Sequence, residues 1–262
     1  MITLRSPREI SMMRQAGLLV WQAHQRAREL IRPGVTTAEL DAAIDATFAE
    51  ADALPLFKGV PGEVPFPAAT CISINEEVVH GIPNDRQLQP GDIVSLDTGC
   101  KIKGWCGDAA NTYAVGEIDD ESQRLLEVTK GALNLAIELL PQRETWNEVA
   151  GEMQALVEGA GFSVIRDFVG HGIGRELHEE PQVPNFVDSK KAEKNDFPLR
   201  PGLVLAIEPM VATRGPEVVC RADKWTQATR DGGRSAHFEH TIALTADGCR
   251  LLTGPPEAGE LD

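Results

Sequence analysis

One short unit occurs twice in this sequence, and the duplication restricts the fold more than any other feature. His80-Gly81-Ile82 and His171-Gly172-Ile173 are the same tripeptide, one in each half of a 262-residue chain. Each is followed by a Pro-Gly and an apolar run that ends in an acid. The first runs from Pro90-Gly91 through Ile93, Val94 and Leu96 to Asp97; the second runs from Pro201-Gly202 through Leu203, Val204 and Ile207 to Glu208. In both, the acid lies seven positions after the proline. A further acid follows each run, Asp108 in GDAANT and Glu239 in FEHTIAL. A unit of one histidine and two acids, used twice, lets two sets of ligands meet face to face.

The element pattern repeats in the same phase. Ser6-Pro7-Arg8-Glu9 is a helix start, with a capping serine, proline in the first turn and a glutamate reaching back. Ile10, Met13, Gly17, Val20, Trp21 and Leu30 follow at roughly helical spacing, and Pro33-Gly34 closes the element. Thr36 opens a second helix carrying Leu40, Ile44 and Phe48. The proline-rich residues 54–69 read as a loop, Cys71 to His80 as strand and approach, and Ile93–Asp97 and Cys106–Val115 as strands. In the second half Asp119 or Asp120 caps a helix through Leu140, and Thr145 with Glu148 opens another that fades at Gly159-Ala160-Gly161. Strands are expected at Phe162–Val169, Val204–Glu208 and Phe238–Leu244, with a solvated loop at Asp188–Asp196. The expected architecture is one pseudo-symmetric α/β unit over 1–262, with repeats of roughly 6–117 and 119–252.

The stretch Phe168 to Phe186, FVGHGIGRELHEEPQVPNF, gathers His171, His178, Glu179 and Glu180 among three glycines. A glycine in a helix interior costs about 1 kcal/mol relative to alanine, and it also lets a backbone approach a ligand closely. A segment so poor in packing residues and so rich in imidazole and carboxylate reads as a site. The plainer alternative is a surface turn with solvated histidines.

Asp97 and Glu208 each end an apolar run, where a bare carboxylate would be buried. Such a group must be paired, protonated or bound to metal, and neither run offers a Lys or Arg at a matching place. Carboxylate and imidazole without thiolate suit Mn²⁺, Fe²⁺, Co²⁺ or Zn²⁺. Four carboxylates exceed what one tetrahedral ion needs, whereas two ions ~3.5–4 Å apart, bridged by shared carboxylates, would use them all. A formal net charge of −15 argues against nucleic-acid binding through a basic patch, so no DNA partner is expected. No apolar run reaches the ~20 residues of a membrane span. The five cysteines form no C-x-x-C pair, which fits a reducing cytoplasm better than a disulfide frame. Of the remaining histidines, His24 reads as a helix-surface residue and His240 as facing away from Glu239. His237 shares Glu239's face, where a solvated strand position is the plainer expectation.

His80, Asp97, Asp108, His171, His178, Glu208 and Glu239, together with GHGIGRELHEEPQV, AIEPMV and FEHTIALT, resemble in order and context the type I methionine aminopeptidases. The resemblance runs from the first helix to about Leu252. It implies the pita-bread fold, whose pseudo-twofold suits the repeat, and a pair of divalent ions held by Asp97, Asp108, His171, Glu208 and Glu239, with Asp108 and Glu239 bridging. It further implies removal of the initiator methionine from nascent chains by a hydroxide shared between the ions. Glu208 would be the general base, His178 a donor to the oxyanion and His80 a partner near the scissile nitrogen. A monovalent cation, Na⁺ or K⁺, would lie near Asn75 and Ser235, and Cys71, Phe66, Trp225 and Leu177 would line the methionine pocket. Residues 58–69, KGVPGEVPFPAA, depart from the family's tyrosine-bearing segment, and Leu177 stands where many relatives carry phenylalanine; both bear on the strictness of the methionine preference. The family's N-terminal zinc-binding extension has no counterpart, as expected of a bacterial or organellar stand-alone form. A cytoplasmic monomer with at most a transient ribosome contact is the corresponding expectation. An X-Pro peptidase of the same fold and a non-catalytic binding module are the competing readings.

Overall fold

The computed structural model describes residues 2–188 and 196–260; most of the charged loop expected at Asp188–Asp196 lies outside them. The first half runs α1 (Pro7–Leu30), α2 (Thr37–Glu50), β1 (Leu54–Pro55), β2 (Thr70–Ile74), β3 (Glu77–Val79), β4 (Ile93–Ile102) and β5 (Trp105–Ala114). The second begins with α3 (Asp120–Leu139), α4 (Trp146–Gly159), β6 (Ser163–Val164), β7 (Gly170–Gly172), β8 (Glu179–Val183) and β9 (Val204–Ile207). It continues through β10 (Met210–Ala212), β11 (Val218–Cys220), β12 (Gln227–Thr229), β13 (Ser235–His237), β14 (His240–Thr245) and β15 (Gly248–Leu251).

The helix starts act as their residues dictate. Ser6 and Glu9 form a reciprocal capping box on α1, and Thr36 and Glu39 form one on α2. The Asp119 side chain accepts from Ser122 N–H on α3, and Glu148 accepts the N–H groups of Glu144 and Thr145 ahead of α4. The two Pro-Gly turns also match. Gly91 and Gly202 both have φ near +90 to +101°, a region open to glycine, and each donates its N–H to the partner strand, to Val115 O and Leu244 O respectively.

Each helix pair covers its own strands. Leu19, Val20, Leu40, Ile44 and Phe48 pack on Ile72, Ile74, Val94 and Leu96. Leu125, Leu133, Trp146, Val149 and Met153 pack on Leu205, Ile207 and Ile242. All strand pairings are antiparallel, and the two principal sheets are β1-β4-β2 with β5 beside β4, and β15-β14-β9-β7-β8.

The two principal sheets are separate, and the division between them falls at the seam between the halves. There β5 faces residues 237–241 in antiparallel order, but threonine hydroxyls stand in for most of the backbone ladder. Thr112 Oγ1 donates to His237 O (2.8 Å) and accepts from His237 N–H (2.9 Å). Glu239 N–H donates to Ala110 O (2.8 Å). Thr241 Oγ1 donates to Asp108 O (2.8 Å) and accepts from Asp108 N–H (3.0 Å).

Other elements differ from the sequence reading. The expected strand at Phe162–Val169 is only Ser163–Val164, and the glycine-bearing Gly170–Gly172 is itself a strand. A Cβ on Gly172 would fall 2.2 Å from Glu180 O, and one on Gly170 would fall 2.3 Å from Ala206 O. The glycines thus let β7 insert between β8 and β9. The expected strand at Phe238–Leu244 is broken before His240, because Phe238 and Glu239 turn at the seam. Cys71–His80 divides at Asn75, whose φ is 58°. Residues 54–69 form a loop after the short β1, and the β11–β12 hairpin carries no signal that the sequence reading used.

Thr241 is fully buried. Thr241→Val keeps its shape but leaves Asp108 N–H and C=O unpaired, at about 1–3 kcal/mol for each orphaned group. Urea unfolding of this variant should show a loss of at least 1 kcal/mol with an unchanged m-value; an unaltered midpoint would remove the seam's role in stability.

Candidate active site

Strand register places the first two acids. Asp97 lies opposite Ala110 and Asp108 opposite Gly99, so the two carboxylates are diagonal neighbours on one face of the β4–β5 hairpin. Gly99 makes room for them: a Cβ there would sit 2.9 Å from Asp108 Oδ1. Glu208 follows the last residue of β9, and Glu239 lies in the break before β14, where its N–H is fixed on Ala110 O. His171 is on β7, beside Ala206.

The ring of His171 is oriented by its own neighbourhood. Its Nδ1 lies 2.9 Å from Gly172 O; a carbonyl only accepts, so Nδ1 carries the hydrogen and Nε2 is left with its lone pair. Nε2 points at Asp108 Oδ2 (3.9 Å) and Glu208 Oε1 (3.7 Å). Ligand atoms of Asp108, His171 and Glu239 all lie within 4.8 Å of one another, and all three residues are buried. Asp97 Oδ1, Asp108 Oδ1 and Glu239 Oε1 are buried without a hydrogen-bond partner. The donor set consists of carboxylates plus one correctly oriented imidazole, with acceptor atoms that lack donors. Such a set fits divalent cations.

Electrostatics agree with that fit. Burial, then the neighbouring carboxylates, push Asp97, Glu208 and Glu239 well above the usual carboxylate range, and burial raises Asp108 to about 7. Burial and the adjacent His178 lower His171 to about 4. Protein alone therefore makes ionising the carboxylates costly, and bound cations would invert that preference.

The other sequence-derived residues surround this cluster. His178 stacks edge-on against His171, with ring centroids 4.4 Å apart, and burial lowers its pKa. His80 has a left-handed backbone, φ 61°, which sets its ring edge-on to Phe168 (5.4 Å) and Trp225 (6.3 Å). Phe66, Cys71, Leu177 and Trp225 line a cavity of about 110 Å³ that opens onto Asp97, Asp108, His171, Glu208 and Glu239. The Trp225 indole N–H donates to Val64 O (2.7 Å), and its ring meets Phe66 edge-on at 5.2 Å. Asn75 and Ser235 are joined by Ser235 N–H to Asn75 O (2.8 Å).

Sequence reasoning missed several contributors. Phe57 and Val60 also line the cavity; they sit in a proline-rich loop with no periodicity to mark them. Asn185 donates to Glu208 O (3.0 Å). The expectation for His237 is corrected: it is 1% exposed, and its Nε2 lies 3.5 Å from Glu208 Oε2. A seam position between two sheets has no solvated face. His24, expected at the surface, is also buried, with Nε2 donating to Ala109 O (2.9 Å) because α1 lies directly on β5. His240 does project away from the cluster, onto Thr253 Oγ1 (2.9 Å).

Comparison with known proteins gives the same picture. Residues 11–246 match the model of metallopeptidase family M24. The chain is 44% identical to methionine aminopeptidase 1 of Bacillus subtilis over 97% of this chain and 99% of that one. The crystal structure of methionine aminopeptidase from Thermotoga maritima superposes with a TM-score of 0.90 at 44% identity, covering 97% of this chain and 99% of that one. The prolidase of Pyrococcus horikoshii shares the fold alone, with a TM-score of 0.76 at 22% identity, and this chain covers 64% of it. Among the described residues no helix is long and apolar enough to cross a membrane.

Above about pH 7.5, roughly a unit over the ordinary histidine value, the imidazoles are almost all neutral in both folded and unfolded protein, so the raised carboxylates dominate the site's pH response there. Their folded pKa values exceed the unfolded ones, and stability present at low pH is lost as pH rises through the folded values, near 7 for Asp108. Chelator-treated protein should lose thermal stability from about pH 7.5 to 9, through the strongly raised Asp97, Glu208 and Glu239, by ~2–4 °C per kcal/mol lost. Protein loaded with Mn²⁺ should not. Parallel pH profiles with and without metal would exclude a cation site.

Proposed function

The chain belongs to metallopeptidase family M24, and we propose that it works as a methionine aminopeptidase, releasing the initiator methionine from nascent proteins whose second residue is small. The observation that carries this reading is a small apolar pocket, about 110 Å³, closing on one side onto the buried carboxylate–imidazole cluster. A pocket of that kind selects one unbranched apolar side chain and stops the polypeptide one residue into the site.

In this reading Asp97, Asp108, His171, Glu208 and Glu239 would hold two divalent ions. Co²⁺, Mn²⁺, Fe²⁺ and Zn²⁺ all suit the ligand set, and a Na⁺ or K⁺ ion near Asn75 and Ser235 would be structural. When bound, the divalent ions supply a water that is acidic near neutrality and polarise the scissile carbonyl. Phe66, Cys71, Leu177 and Trp225 seat the methionine side chain. Glu208 accepts the proton of the attacking water as its oxygen bonds to the carbonyl carbon, and delivers a proton to the leaving amine as the C–N bond breaks. His178 donates its N–H to the carbonyl oxygen as negative charge develops there, a contribution that often dominates such catalysis. His80, held between Phe168 and Trp225, faces the scissile nitrogen. Residues 1–262 act as a single catalytic unit, cytoplasmic and monomeric, meeting nascent N-termini with at most a transient ribosome contact.

An X-Pro peptidase is the nearest rival, but the aligned prolidase is only 22% identical to this chain, against 44% for the methionine aminopeptidases of Bacillus subtilis and Thermotoga maritima. Retention of every proposed ligand speaks against a binding module without activity. Metal-loaded protein should release methionine from Met-Ala-Ser and leave Gly-Pro intact; proline release without methionine release would reverse the assignment. His178→Ala should lower kcat by about 10²–10³ with unchanged metal content, read by steady-state kinetics alongside elemental analysis. A kcat within twofold of the parent would remove His178 from the chemistry.

A further inference from the structure

Behind the metal cluster, on the other side of β5 and β14, α1 and α3 leave a cavity of about 440 Å³ between them. This lies within the ~300–1,000 Å³ range of small-molecule sites. Its lining carries two cations, both exposed at its mouth, and one acid, in a protein of net charge −15. Arg28 comes from α1 and Lys130 from α3, so the two halves each contribute one cation. Among the described residues neither charged group has an ion-pair partner, whereas Arg14, Arg26, Arg143 and Arg250 each hold a carboxylate. Glu127 is the one acid in the lining; it accepts from Gln123 (2.7 Å) and comes within salt-bridge distance of neither cation.

The floor offers further polar atoms. His240 is held through Nδ1 by Thr253 Oγ1, while its Nε2 makes no hydrogen bond to a described residue. The Asn111 amide, on the same wall, is likewise without a hydrogen-bond partner among the described residues. Trp21 and Leu126 supply an apolar flank. His24, by contrast, is fully engaged: Nε2 donates to Ala109 O and Nδ1 lies 3.3 Å from Tyr113 OH. It shapes the wall and does not contribute to the ligand.

We propose that this cavity binds a small organic anion, an apolar body carrying a phosphate or carboxylate, gripped between Arg28 and Lys130 with its apolar part against Trp21. Unpaired cations on facing helices, over open imidazole and amide groups, match an anionic head; charge-assisted hydrogen bonds of this sort are about twice as strong as neutral ones. The placement of the site is independent of the peptidase reaction, since none of these residues belongs to the proposed catalytic set.

The test is a fluorescence titration of the metal-loaded protein with phenyl phosphate, benzoate and, as a neutral control, benzyl alcohol. At least one anion should quench tryptophan emission with half-saturation below about 1 mM, and benzyl alcohol should not. Trp21→Phe should remove the quench. Arg28→Ala combined with Lys130→Ala should weaken binding at least tenfold, while methionine release from Met-Ala-Ser stays within twofold of the parent. Phenyl phosphate binding with benzoate excluded would identify the head group as phosphate, and the reverse as carboxylate. No saturable response to either anion would overturn the proposal. So would affinity unaltered in the double variant, which would place the ligand at the metal cluster, or equal binding of benzyl alcohol.

Discussion

The seam between the two halves governs the geometry of everything that lies on it. Two threonine hydroxyls, Thr112 on His237 and Thr241 on Asp108, bracket a single backbone bond from Glu239 N–H to Ala110 O. A continuous backbone ladder would have required residues 237–241 to stay fully extended, with Glu239 alternating like any strand residue. Replacing backbone partners by hydroxyls lets the chain turn at Phe238-Glu239 while the N–H and C=O of both His237 and Asp108 remain paired. Glu239 thereby reaches the same small volume as Asp108, from the opposite half. Both are nearly inaccessible to solvent, 2% and 3% exposed, so the seam fixes the separation of two groups that repel each other when ionised.

Such a cluster is expensive in the absence of a counter-charge, and the surrounding structure offers very little. No lysine or arginine forms an ion pair with Asp97, Asp108, Glu208 or Glu239 among the described residues; the histidines beside them, His171 and His237, are kept neutral by burial. His237, lowered to about 3 by burial, lies 3.5 Å from Glu208 Oε2, and Asn185 holds the Glu208 backbone from the other side. These two neutral groups restrict Glu208 without neutralising it. A cationic neighbour would have competed for the carboxylate that the proposed mechanism needs as a base.

How far this was legible in the sequence depends on whether the determinant was local. Ser6, Thr36, Asp119 and Thr145 cap helices through groups three residues away, and the Pro-Gly turns need φ values that glycine supplies, so these elements could be read directly. The repeated His-Gly-Ile and the acids after each apolar run marked the cluster for the same reason: periodicity and apolar context make a carboxylate conspicuous. The seam was invisible because its bonds join residues 125 to 133 positions apart, and nothing in FEHTIAL shows that Thr241 serves Asp108. His24 and His237 were misjudged on that account. Helix or strand position alone does not reveal that another layer of the fold covers it. Gly170 and Gly172 misled in the other direction, since glycine weakens a strand in isolation yet is required where two neighbouring backbones crowd it.

The pocket shows why a fold shared with a prolidase need not share its specificity. The proposed ligands ride on β4, β5 and β7, at the end of β9 and on the seam. The pocket walls come mostly from elsewhere: the proline-rich loop carrying Phe57, Val60 and Phe66, and the tip of the β11–β12 hairpin carrying Trp225. These two segments brace each other through the indole N–H on Val64 O and the edge-on contact with Phe66, so neither could be exchanged alone without loosening the other. The floor is different. Cys71 is paired in register with Asp97, which puts its side chain beside the proposed ligand. Burial and the Asp97 carboxylate push its thiol far up, so it stays protonated and acts as a small apolar surface. A larger residue there would shorten the pocket and press on Asp97 together. Pocket depth is therefore tied to the carboxylate cluster, whereas pocket width is set by loops that can vary independently of it.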